Sequence, residues 1–161
     1  MLTRALPVSF VERKRLLSWR EVHVGLREDW LTPASAIDLA IRRFQQGHED
    51  PGVLELAGLL PDDGAEARAI VGRLAERDTE RDEQAARLTW LRLLLAWVFQ
   101  NRGDFSDPLG IVEELYADFG HPNEIRHLVR YNESSETTES REEALAVLLA
   151  RWEKYLDETD V

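Results

Sequence analysis

Two kinds of side chain in this 161-residue sequence could do chemistry, the histidines and the carboxylates, and the spacing of each limits what that chemistry could be. His121, Glu124 and His127 carry metal-ligating groups at i, i+3 and i+6. On a helix those steps turn by about 300° and 600°, which spreads the three groups around the axis instead of converging them. A zinc-binding helix sets two histidines four residues apart, and no such pair exists among His23, His48, His121 and His127. The adjacent carboxylates Asp62-Asp63, Glu113-Glu114 and Glu142-Glu143 diverge by about 100° on a helix, so they make poor acid–base pairs. Asp104, Asp107 and Asp118 could gather at one end of a helix over 108–119, and a hydrolytic pair would additionally need one carboxyl in an apolar pocket. Cysteine is absent, which removes thiolate nucleophiles, disulfides and Cys metal sites. No Gly-x-Ser-x-Gly and no phosphate-cradling Gly-rich loop occurs. We therefore expect no catalytic residue, no metal and no cofactor.

What remains is surface charge. The net charge is −11, and it is uneven. Residues 1–50 carry 8 basic and 7 acidic side chains, residues 51–100 carry 6 and 9, and residues 101–161 carry 6 and 15. Such a field repels nucleic-acid phosphate and anionic membranes and favours a basic partner. The basic run Arg13-Lys14-Arg15, with Arg4 and Arg20, lacks interleaved aromatics and reads as a solvated helix face.

The elements that must carry these groups are helical throughout. Ser9-Phe-Val-Glu12, Ser18-Trp-Arg-Glu21 and Ser140-Arg-Glu-Glu143 fit the reciprocal capping box. Thr32-Pro33, Asp50-Pro51 and Asp107-Pro108 place a capping side chain before a proline at the first helical position, and His121-Pro122 imitates them. Gly47, Gly103 and Gly120 read as helix C-caps. Apolar residues recur at 3- and 4-residue steps: Ala36, Ile37, Ala40, Ile41 and Phe44; Leu109, Val112, Leu115, Tyr116 and Phe119; Leu145, Leu148, Leu149, Trp152, Tyr155 and Leu156. No run alternates as a strand would.

The pattern predicts an all-α, single-domain fold over 1–161, a multi-helix bundle or stack of helix hairpins. About nine helices are expected, over 10–17, 19–29, 33–46, 51–60, 64–77, 82–102, 108–119, 122–131 and 140–158. The helix near 82–102 has almost no polar face and is expected at the centre. The polar segment 132–139, Asn-Glu-Ser-Ser-Glu-Thr-Thr-Glu, is expected to be a mobile loop. The tryptophans and most tyrosines fall on apolar stripes and are expected in the core, with Tyr131 the exposed exception. The longest apolar run, Leu88 to Phe99, is interrupted by Arg92 and far shorter than the roughly 20 residues a membrane span requires, and the N-terminus lacks a signal-peptide pattern. The expected location is the cytoplasm.

Three stretches taken together carry a likeness. They are Ser18-Trp19…Val22-His23-Val24-Gly25-Leu26…Trp30-Leu31…Pro33…Ala36-Ile37; Trp90…Leu93-Leu94-Leu95-Ala96-Trp97…Asn101-Arg102; and Asp107-Pro108-Leu109…Val112-Glu113…Tyr116-Ala117-Asp118-Phe119…Pro122…Ile125…Val129-Arg130-Tyr131. With the closing Trp152…Tyr155-Leu156, this resembles a bacterial family of small uncharacterised all-helical proteins, a domain of unknown function. The resemblance implies a helical fold and brings no activity. Small, acidic, solitary domains of this sort are similar to immunity proteins of bacterial toxins, and that analogy implies a binding protein.

The expected function is a non-catalytic protein binder, an immunity-type inhibitor whose acidic surface neutralises a basic toxin domain. The alternative is a general interaction or adaptor module, or a homodimeric structural protein. The residues expected at the partner surface are Asp104, Asp107, Asp118, Glu133, Glu136 and Glu139, with Tyr131 as aromatic anchor.

Overall fold

The computed structural model describes residues 5–79, 82–130 and 138–159, the last span with side chains from Ser140. Among the described residues there are eight α-helices, two 3-10 segments and no strand. The helices are α1 (Val8–Lys14), α2 (Trp19–Arg27), α3 (Pro33–Gln45), α4 (Pro51–Ala57), α5 (Gly64–Glu76), α6 (Glu83–Gln100), α7 (Pro108–Asp118) and α8 (Thr138–Thr159). The 3-10 segments are Arg102–Asp104 and Asn123–Leu128. The fold is all-α. The chain forms two compact units, one ending at Trp90 and the other beginning at Leu91, so the division falls within α6.

In the first unit the helix starts follow local chemistry. Ser18 and Glu21 close a complete capping box at α2. Thr32 accepts from Ser35 N and Asp50 from Gly52 N, each ahead of a proline. α3 packs on α4 and α5, α2 on α5, and α1 on α3. Phe10, Val11, Val22, Val24, Ala36, Leu39, Leu56, Ile70, Val71 and Trp90 fill the interior between them. Gly25 is required on α2 because the Trp90 indole lies against its backbone, and that indole donates from Nε1 to the Glu21 carbonyl at 2.7 Å. Gly47 ends α3 with a left-handed φ of 94°.

Two features of this unit depart from the sequence pattern. α1 begins at Val8 after Pro7, with no side-chain cap, so Ser9 is helical and its capping box does not form. On α3 the last turn buries Arg43, while Phe44 is 47% exposed.

In the second unit α6 contributes Leu91, Leu93, Leu94, Leu95, Ala96 and Val98, all buried, as its lack of a polar face requires. Phe99 meets Trp152 of α8 edge-on, with ring centroids 5.1 Å apart. Asp107 caps α7 through Gly110 N. After α7 the chain departs from expectation. Gly120 and His121 both take left-handed φ, 77° and 58°, so His121 is no cap. Residues 123–128 then bond at i+3, as in Ile125 N to Pro122 O and Val129 N to Arg126 O, and form a 3-10 segment where an α-helix over 122–131 was expected. Gly103 lies inside the other 3-10 segment instead of ending a helix. Helix α8 starts at Thr138, which puts Ser140 within it and not at its cap. Its buried stripe is Leu148, Trp152 and Tyr155, whereas Leu145 is 38% exposed. Among the described residues, no helix is long and apolar enough to cross a membrane.

Candidate functional site

The second unit is held by two charge networks that also decide which acids stay available. In the first, Glu124 of the second 3-10 segment accepts from Arg92 of α6 and Tyr155 of α8. Its Oε1 receives Arg92 Nη2 at 2.6 Å, Arg92 Nε at 3.0 Å and the Tyr155 hydroxyl at 2.8 Å. Burial, reinforced by the Glu124 bond, pushes the Tyr155 phenol well above its ordinary pKa. In the second, Arg130 forks across α7. Its Nε and Nη2 reach Glu113 at 2.7 and 3.2 Å, and its Nη1 and Nη2 reach Asp107 at 3.1 and 3.0 Å. The Arg130 bonds hold the Asp107 carboxyl below its usual range, with Gly110 N adding to the effect.

The candidate residues therefore separate. Asp107 is engaged as cap and ion-pair partner. Asp104 is exposed in the first 3-10 segment, and Asp118 is exposed on the last turn of α7. Asp107 and Asp118 stand at opposite ends of an 11-residue helix, about 16 Å apart at 1.5 Å per residue, so these two acids do not gather at one end. Tyr131, Glu133 and Glu136 lie outside the described residues, as do residues 132–137 of the segment 132–139 expected to be a mobile loop and the side chain of Glu139; Thr138 and Glu139 open α8 instead of belonging to a loop. Two of the histidines are used in packing: His121 meets Tyr116 edge-on at 4.9 Å and His127 meets Tyr155 at 6.1 Å. Among the described residues, no three His, Asp or Glu side chains are grouped to hold a metal.

A stronger acidic surface lies on α8. Glu142, Glu143, Glu153 and Asp157 are all exposed, and none makes an ion pair among the described residues. At 3.6 residues per turn they fall within a sector of about 100°. Every residue from Arg141 to Val147 is exposed, and Leu145 and Val147, 38% and 49% exposed, add apolar surface to these two turns.

The family of uncharacterised proteins conserved in bacteria designated DUF2247 matches residues 8–160. The chain belongs to the DUF2247 family. No curated protein and no solved structure matches it. Sequence reasoning misses the acidic sector of α8 in this family member, because it takes Glu142-Glu143 only as an adjacent pair that diverges on a helix. The signal was present: steps of 11 and 4 residues from Glu142 to Glu153 to Asp157 are near-whole numbers of helical turns. Arg130 and Arg92 carried no such signal, because their partners are 17 to 32 residues away in sequence.

Proposed function

We propose that this chain is a non-catalytic binding protein, an immunity-type inhibitor that neutralises a basic bacterial toxin domain through the acidic surface of its C-terminal half. The observation that carries the reading is the acidic sector of α8, four exposed carboxylates without ion-pair partners among the described residues, with Leu145 and Val147 on the same helix. Toxins that cleave nucleic acid are basic because they grip phosphate. An acidic helix face imitates that phosphate, speeds encounter and repels the wrong partners. Apolar groups beside the charge supply the desolvated contact that charge alone does not. A homodimer through α8 is the weaker alternative, since it would oppose two faces of like charge.

The test is expression of the neighbouring gene's product with and without this chain. Protection from a toxic neighbour, with a 1:1 complex on co-purification, supports the proposal. A neighbour that is harmless to cells and does not associate with the chain refutes it.

A further inference from the structure

We infer that the first unit holds a second, unrelated site: a pocket for a small organic oxyanion, a carboxylate or phosphate on a short apolar body, anchored by the Arg43 guanidinium. The pocket has a volume of about 450 Å³ and lies among the α1–α2 connection, α2, the end of α3 and the start of α4. That volume suits a small ligand. Leu16, Leu17 and Val53 supply an apolar wall, and Arg15, Trp19, Glu21 and Arg43 the polar and aromatic one.

Arg43 is 6% exposed, and a buried guanidinium needs a negative partner. It has none at ion-pair distance among the described residues. Its Nη2 donates to the Leu17 carbonyl, and its Nε is buried without an acceptor. The guanidinium carbon stands 4.5 Å over the Trp19 ring, which fixes the plane it presents. The two carboxylates lining the pocket are each paired to another arginine. Glu21 receives the Ser18 backbone N–H on Oε1 at 2.9 Å and faces Arg15 at 3.1 Å through Oε2, which is buried without a hydrogen bond. Asp50 caps α4 through Gly52 N and receives Arg77 at 3.1 Å. Glu12, Asp78 and Glu21 attract Arg43 from beyond ion-pair distance, yet burial still lowers its pKa. Glu12 and Glu21 are the competing explanation, since Glu12 Oε1 and Glu21 Oε2 are also buried without a hydrogen bond, but Glu12 does not line the pocket and Glu21 is paired to Arg15. A carboxylate or phosphate entering the pocket gives the guanidinium the planar, two-oxygen acceptor it is shaped for.

Calorimetric titration of the full chain with benzoate, phenyl phosphate and uncharged benzamide tests this. One of the two anions is expected to bind 1:1 with Kd below about 1 mM, and its identity assigns the headgroup. Benzamide is expected to bind at least about tenfold more weakly. Leu16 is 62% exposed at the pocket, so Leu16→Glu leaves the fold intact and is expected to weaken the anion at least about threefold by charge repulsion. Arg43→Met is expected to abolish binding, and Arg43→Lys, which keeps the charge but not the fork, to weaken it about tenfold. Absence of binding by both anions at about 10 mM, equal binding of benzamide, or unchanged affinity in Leu16→Glu and Arg43→Lys would overturn the inference and leave Arg43 balanced by Glu12 and Glu21.

Discussion

Gly25→Ala probes the closest approach in the first unit. A Cβ at this position would lie 2.3 Å from Trp90 Cζ2 and 2.8 Å from Cε2. Carbon atoms in favourable contact sit about 3.5–4.0 Å apart, so the gap is short by more than 1 Å. The ring has little freedom to retreat. Trp90 is fully buried, its Nε1 is bonded to the Glu21 carbonyl, and its ring centroid lies 5.9 Å from that of Trp30. Overpacking of this kind costs about 1–3 kcal/mol, and the fixed partner places this case at the upper end. Alanine in place of a helical glycine returns about 1 kcal/mol. The net expectation is a loss of about 2 kcal/mol, read as a lower urea midpoint with unchanged slope. In a Trp90→Phe background the clashing atoms are gone, and the same substitution should cost at least about 1 kcal/mol less. A Gly25→Ala variant that gains stability, or that costs the same in both backgrounds, would refute the packing described for α2.

Asp107→Asn keeps a competent cap but loses the Arg130 ion pair, and is expected to cost up to about 1 kcal/mol at pH 7 because the pair is partly exposed. Because the folded carboxyl has a lowered pKa, its contribution is full above the unfolded value near 3.9 and fades as pH falls through the folded one. The gap between variant and wild type, followed by urea denaturation, should therefore narrow below about pH 4. Tyr155→Phe removes a 2.8 Å bond to a carboxylate and should cost about 1–2 kcal/mol. Ultraviolet titration should show the Tyr155 phenol still protonated at about pH 11, and ionisation at an ordinary pKa near 10 would contradict its burial.

Much of the fold was legible because it is written locally. Ser18, Thr32, Asp50 and Asp107 announce helix starts through side chains that bond a backbone N–H two or three residues on. The all-round apolar α6 announces its own burial. The misreadings arise where a local pattern meets a non-local constraint. His121-Pro122 has the form of a cap, but His121 follows Gly120 into left-handed φ and the next segment starts without a side-chain cap. The segment that follows is tied to α6 and α8 through Glu124, and its i+3 bonds are those of a 3-10 turn. Leu145 continues the α8 stripe by periodicity, yet burial on that helix begins only at Leu148. Arg43 reads as a surface residue by type and is buried on the last turn of α3. As for the candidate surface, the excess of acid after residue 100 was visible, but which acids are already spent on arginines was not. Asp107 and Arg130 are separated by 23 residues, and only the folded chain shows that they pair.

The central proposal is tested most directly by reversing the α8 sector with Glu142→Lys, Glu143→Lys, Glu153→Lys and Asp157→Lys together. All four sites are exposed and unpaired among the described residues, so stability should change little. Association with the neighbouring gene's product, followed by stopped-flow fluorescence at low salt, should slow at least about tenfold, with loss of protection in cells. An unchanged association rate and intact protection in the reversed protein would contradict the account.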